Sequence, residues 1–250
     1  MTSNRKAYPS WFTRLLQWPQ SLGNAWPTQC HVCSGWCRDV LCPSCWVQQP
    51  RSTLTCKVCA LENAHPLCAN CLSTPPAWQT CASAVPYTEP WRSLIIGYKF
   101  HEQPGLARFF AKVMLANEPL HERVMQSDHL IPVPLSAKRL RERGFNQSLL
   151  LASRLSSVRC MAQGLLRVRD TAAQAGLSRE QRQVNLTHAF AVHPQHIRQL
   201  AGKNLLLVDD VMTTGSTLQA CSLALLQAGA ATVSAVTLAR AQSGSVAATE

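Results

Sequence analysis

NLLLVDDVMTTGSTLQAC, residues 204–221, sets an apolar run against two adjacent acids, then a hydroxyl-rich turn around one glycine, then a second apolar stretch. Leu205–Val208 read as a buried strand. STLQACSLALLQAGA, from Ser216, reads as a helix ended by Gly229. Asp209 and Asp210 therefore stand at the carboxyl end of a strand, with Thr213–Thr217 joining strand to helix. In a parallel α/β sheet, ligands bind beyond the carboxyl ends of the strands.

The segments around this stretch supply such a sheet. SAVPY (83–87), HLIPVPL (129–135) and TVSAVTLAR (232–240) read as strands, the second stopped by its prolines. PWRSLIIGYKF (90–100), GLARFFAKVMLAN (105–117) and NQSLLLASRLSSV (146–158) carry helical patterns. In GLARFFAKVMLAN the apolar residues recur at 106, 109, 110, 113 and 114. Strands alternating with helices predict a mostly parallel α/β sheet with helices on its faces.

At the strand end, Gly215 permits a tight turn, and the helix N-terminus presents N–H groups and partial positive charge to an anion. The hydroxyls of Thr213, Thr214, Ser216 and Thr217 add donors. A pair of carboxylates has no use for a phosphate; it suits hydroxyls or a metal ion. A ligand that meets both demands carries a phosphate at one end and vicinal hydroxyls nearby, as a ribose 5-phosphate does. A Walker-type loop is excluded, because no G-K-[ST] follows.

The other half of the chain opens with cysteine pairs. Cys30/Cys33, Cys42/Cys45, Cys56/Cys59 and Cys68/Cys71 are each C-x-x-C, and adding 26 to the first four positions gives the second four. This is a duplicated C-x2-C-x8-C-x2-C unit. Two such turns complete a tetrahedral shell of four thiolates, so eight thiolates suit two structural Zn2+ ions in closed sites. The spacing leaves both sequential and interleaved pairing open. Cys37, Cys81, Cys160 and Cys221 fall outside the repeat and read as packing residues. A stretch so poor in aliphatic residues would draw much of its folding free energy from the metal.

The formal net charge is +11, and it is uneven: residues 131–200 carry 11 basic and 3 acidic side chains. Such a stretch points to an anionic ligand, either phosphates or nucleic acid. Its densest part, AKRLRERGFNQS, holds Lys138, Arg139, Arg141 and Arg143. No apolar run approaches membrane-spanning length. WFTRLLQW, broken by Arg14 and followed by Pro19, makes a poor secretory signal. Cytoplasmic residence is the expectation, where twelve cysteines serve metal binding rather than disulfides.

LLLVDDVMTTGST closely resembles the phosphoribosyl pyrophosphate (PRPP) motif of type I phosphoribosyltransferases. With IPVPLSAKRLRERGFNQS, RVRDTAAQAGLSREQRQVNLTHAF, GYKF and the leading cysteine knuckles, the chain resembles the competence protein ComF family, including its GntX-like members. The resemblance runs from Cys30 to about Arg240. It implies an N-terminal extension (1–29), a double zinc-ribbon-like module (30–75), a phosphoribosyltransferase-like domain (81–240) and a tail (241–250). By that resemblance, Asp209 and Asp210 hold the ribose hydroxyls, and Thr213, Thr214, Gly215, Ser216 and Thr217 hold the 5-phosphate. Lys138, Arg139, Arg141 and Arg143 reach the diphosphate or nucleic acid. A hood between 164 and 188 closes over the reacting centre, hinged by the freedom of Gly164 and Gly176, with Arg169 and Arg182 as catalytic residues and Gln174 and Asn185 beside them. Mg2+ accompanies PRPP, and single-stranded DNA and DNA-uptake or DNA-processing proteins are the implied partners. Two functions follow: a phosphoribosyltransferase with an unnamed acceptor acting in DNA uptake or use, or a non-catalytic PRPP- or nucleotide-sensing protein that binds single-stranded DNA.

Overall fold

The computed structural model describes residues 27–49, 54–100, 103–168 and 189–242. The chain divides into two compact units, Met1–Gln48 and Gln49–Glu250.

In the smaller unit, β1 (Thr28–Gln29) and β2 (Trp36–Cys37) form a two-stranded antiparallel ladder, followed by the short helix α1 (Pro43–Val47). Between the strands the first C-x-x-C turns back on itself. Cys30 N–H donates to the Gly35 carbonyl at 2.8 Å, Ser34 N–H donates to the Cys30 carbonyl at 2.9 Å, and Ser34 takes a left-handed φ of 58°.

The larger unit begins by repeating that turn. Cys56 N–H donates to the Leu61 carbonyl at 2.8 Å, Ala60 N–H donates to the Cys56 carbonyl at 2.8 Å, and Ala60 has φ 56°. A single bridge between Thr55 and Glu62 stands where the smaller unit pairs Gln29 with Trp36. Helix α2 (Ala69–Ser73) stands where it has α1. The duplication read from the cysteines is thus a duplication of backbone.

After this second knuckle the chain runs through β3 (Cys81–Pro86), α3 (Trp91–Phe100), α4 (Leu106–Leu115), α5 (Glu118–Gln126) and β4 (His129–Pro132). It continues through α6 (Ala137–Arg143), α7 (Gln147–Leu155), β5 (Leu165–Arg167) and β6 (Phe190–Val192). A 3-10 turn at Pro194–His196 leads into α8 (Ile197–Leu200), then β7 (Asn204–Met212), α9 (Ser216–Gln227) and β8 (Thr232–Arg240). The central sheet has strand order β3-β8-β7-β4, with every pairing parallel. β5 and β6 form a separate antiparallel pair.

The predicted parallel sheet is therefore present, and the reason lies in burial. Leu205–Val208 are buried on both faces, as the continuous apolar run requires. The apolar face of α4, with Phe109, Phe110, Val113 and Met114, is buried too. Besides the short elements β1, β2, α1, α2 and α8 and the 3-10 turn, three more go beyond the sequence reading. Helix α5 starts at Asn117, whose side chain accepts from Leu120 N–H at 3.2 Å. Helix α6 starts at Ser136, whose hydroxyl accepts from Arg139 N–H at 3.2 Å, and it stops at Gly144 in a left-handed conformation. The β5–β6 pair is the third. Cys81 and Cys221 are buried in the core, as expected of packing residues.

Candidate phosphate and sugar site

Strand β7 runs to Met212, and the two acids lie within its last four residues. Successive residues of a strand point to opposite faces, so Asp209 and Asp210 find different partners. Asp209 Oδ1 accepts from the Ser148 hydroxyl at 2.9 Å and from the Asp210 backbone N–H at 2.9 Å. Asp210 Oδ1 pairs with Lys99 Nζ at 2.9 Å, both side chains largely buried. Burial first, and the neighbouring Asp210 carboxylate second, push the Asp209 carboxyl up to about 7; Lys99 acts the other way.

Lys99 is aimed by its neighbour. Tyr98 is buried between the rings of Phe110 and Phe145, at 5.3 and 5.7 Å between centroids, and its hydroxyl donates to the Gln147 carbonyl at 2.9 Å. That fixes α3 against α7, which also supplies Ser148. Phe145 is thereby a core anchor. Neither Lys99 nor Ser148 was singled out by sequence reasoning; the only signal was that each lies inside a quoted motif, GYKF or GFNQS.

Beyond the acids the chain turns at Gly215, φ 81°, which serves as N-cap of α9. A Cβ at Gly215 would lie 2.8 Å from the Met212 methyl and 3.0 Å from the Trp78 ring, so the turn is closely packed as well as left-handed. Gly215 has no side chain to cap α9, whose first turn holds no acid; Thr214 Oγ1 accepts from the Ser216 N–H at 3.4 Å. The first amides of a helix have no intrahelical acceptor, which leaves the start of α9 able to receive an anion. Thr214 and Ser216 hydroxyls lie 2.8 Å apart at its rim.

The 132–135 turn borders the same strand end. Val133 N–H donates to the Val208 carbonyl at 3.0 Å, one residue before Asp209, and Asn146 Nδ2 donates to the Val133 carbonyl at 3.1 Å. Helix α6 then carries Lys138, Arg139, Arg141 and Arg143. Lys138 reaches Glu142 at 3.9 Å, and Arg143 lies over the Phe100 ring at 4.7 Å while donating to Gln147 Oε1 at 3.4 Å. Arg169 and Arg182, with Gln174, Gly176 and Asn185, lie outside the described residues. The flanks of that segment are held together, since Val168 N–H donates to the Ala189 carbonyl at 2.8 Å.

The eight repeat cysteines assemble into two tetrads, Cys30/Cys33/Cys42/Cys45 and Cys56/Cys59/Cys68/Cys71, with all Sγ atoms of each tetrad within 4.8 Å of one another. Pairing is sequential. Cys33 and Cys42 Sγ are 3.8 Å apart and Cys59 and Cys68 Sγ are 3.6 Å apart. A tetrahedron with Zn–S of about 2.3 Å has an edge of about 3.8 Å, so these donors fit a tetrathiolate metal site. Further amides support each shell: Cys42 N–H points at Cys30 Sγ, and Cys68 N–H points at Cys56 Sγ. Among the described residues, no helix is long and apolar enough to cross a membrane.

Comparison with known proteins adds four findings. Residues 148–248 match the profile of the phosphoribosyl transferase domain. The DNA utilization protein YhgH of Salmonella typhimurium (strain LT2) is 36% identical over 201 residues, covering 77% of this chain and 87% of that one. The protein of the same name from Escherichia coli O6:H1 is 35% identical over 232 residues, covering 89% and 92%. Competence protein F of Haemophilus influenzae is 33% identical over 212 residues, covering 82% and 92%.

Proposed function

The chain belongs to the ComF family of competence and DNA-utilization proteins, with the type I phosphoribosyltransferase fold, and from that premise we propose that it binds PRPP at the β7–α9 junction and transfers its phosphoribosyl group in the service of DNA uptake or use. One observation carries the reading. Two carboxylates and a glycine-turned helix start with hydroxyls at its rim meet near the same strand end, and together they match a phosphorylated sugar.

Each group has a task. The amides and hydroxyls of 213–217 take the 5-phosphate. Asp209 and Asp210 accept hydrogen bonds from the ribose 2- and 3-hydroxyls, with Ser148 and Lys99 holding them in position. The 132–135 turn and α6, with Lys138, Arg139, Arg141 and Arg143, face the diphosphate or the backbone of single-stranded DNA. Arg169 and Arg182 close over the reacting carbon from the 164–188 segment and exclude water, which would otherwise hydrolyse the activated sugar. The C1–O bond to diphosphate breaks through an oxocarbenium-like state while the acceptor's nucleophile forms its bond at C1. The carboxylate oxygens are hard donors of the kind Mg2+ prefers; bound with the diphosphate, Mg2+ supplies neutralisation of the leaving charge. Both tetrads take structural Zn2+.

Calorimetry of the zinc-loaded chain with PRPP and Mg2+, beside an assay of pyrophosphate release, tests this. Binding heat with release, both abolished in Asp210→Asn, is expected. Absence of heat in the unaltered chain overturns it. Heat without release against any base or amine marks a non-catalytic PRPP sensor.

A further inference from the structure

The second knuckle is joined to the phosphate loop through Arg240, by hydrogen bonds, and through Trp78, by ring contact. Its C-x-x-C turn offers three consecutive carbonyls to the larger unit's core. Lys57 O accepts from Cys81 N–H at 2.9 Å, Val58 O from Trp78 Nε1 at 2.6 Å, and Cys59 O from Arg240 Nε at 2.8 Å. Two of these donors reach on to the loop. The Trp78 ring lies against Gly215. Arg240, at the end of β8, gives Nη1 to the carbonyls of Met212 at 2.9 Å, of Ala241 at 2.8 Å and of Thr213.

Arg240 is only 6% exposed. Among the described residues it donates to four backbone carbonyls, and the Cys59 side chain also faces it. Burying a cation is costly unless it is paired and hydrogen-bonded. Four thiolates around a divalent metal carry a net charge of −2, and the backbone of one of those four cysteines, Cys59, is itself an Arg240 acceptor. A metal-bound tetrad would therefore supply the counter-charge of the guanidinium. The same metal would hold the 56–59 turn that presents the three carbonyls.

We propose that Arg240 is a positioning residue for the 213–217 loop, through which metal occupancy of the Cys56/Cys59/Cys68/Cys71 tetrad sets the affinity of that loop for a phosphorylated ligand. This rests on the PRPP reading above. The second tetrad is then an abutment of the ligand site, and a chain that loses this metal loses grip on the 5-phosphate before it loses its sheet.

Amide hydrogen exchange of the full-length chain, with metal counted by native mass spectrometry and PRPP–Mg2+ titrated by calorimetry, provides the test. Arg240→Lys keeps the charge but cannot span Cys59, Met212 and Thr213. It should retain both metals and the far-ultraviolet circular dichroism of the unaltered chain, while the Gln219 and Ala241 amides, bonded to the Gly215 and Met212 carbonyls, exchange at least tenfold faster and the PRPP Kd rises at least tenfold. Stripping the metal from the unaltered chain should raise the same amides' exchange by a similar factor. If Arg240→Lys does not fold, Trp78→Phe, which removes the Nε1 bond to Val58 and the part of the ring that lies against Gly215, should speed exchange of the Gln219 amide at least threefold. Exchange within twofold of the unaltered chain in whichever variant folds overturns the proposal. If the unaltered chain binds no PRPP, the PRPP reading fails, and the exchange arm still decides whether Arg240 ties loop to knuckle.

Discussion

Asp209 is an acid of the site displaced far from its ordinary state. Its carboxyl, raised to about 7 by burial and by Asp210, keeps its proton in the native state over a range where the unfolded chain has lost it. The sign follows: as pH rises from the ordinary carboxylate range to about 7, native stability falls, because the folded state binds more protons there. Ribose hydroxyls need the ionised form as acceptor, so PRPP affinity should rise with pH through about 7 and level above it. Calorimetric titration from acid to neutral pH checks this, and Asp209→Asn should remove the inflection that remains after the ligand's own phosphate titration is subtracted. Gly215 is the second exposed dependency. Alanine there must adopt φ 81° and push into the Met212 methyl and the Trp78 ring, so Gly215→Ala should cost about 1–3 kcal/mol, read by denaturant unfolding, and should abolish PRPP heat. Both residues were legible in the sequence, because acids and glycine at a strand–helix junction have few other uses. Lys99, Ser148 and Arg240 were not. Each acts on a partner 61 or more positions away, and no local pattern records which distant residue the topology will bring alongside.

At the scale of elements, strand β7, its loop and helix α9 follow from hydrophobic pattern alone, since the buried run and the glycine stop leave one arrangement. Helix α6 did not, because its seven residues are too short to show a period and bury no side chain. Its formation rests on the Ser136 cap and the Gly144 stop, which spread Lys138, Arg139, Arg141 and Arg143 around an exposed turn instead of aligning them on one face. That geometry suits a phosphodiester backbone crossing the helix. Arg139→Ala combined with Arg141→Ala should weaken single-stranded DNA binding and make its dependence on log salt shallower by about 1.4, two contacts at about 0.7 each. An unchanged slope in fluorescence anisotropy would remove α6 from the DNA path.

For the whole molecule, the 26-residue offset disclosed two knuckles but not their pairing or their different settings. Identical spacing can close sequentially or across, and only the three-dimensional path brings Cys30 to Cys45 and Cys56 to Cys71. Nor does spacing reveal that the second copy shares a buried cluster with Trp78, Cys81, Leu207 and Met212. Two Zn2+ per chain should be found by native mass spectrometry. A chelator should lower the thermal midpoint of the larger unit by several degrees, because core burial in the second tetrad couples the metal to folding. The strand order has a consequence for biosynthesis. Among the described residues β3 pairs only with β8, so Cys81–Pro86 leave the ribosome roughly 150 residues ahead of their partner Thr232–Arg240. During that interval the nascent chain can complete each cysteine knuckle locally while its first core strand stays unpaired. Metal supply to the second knuckle thus comes before sheet closure, and a cell short of that metal would offer its chaperones an open β3 edge.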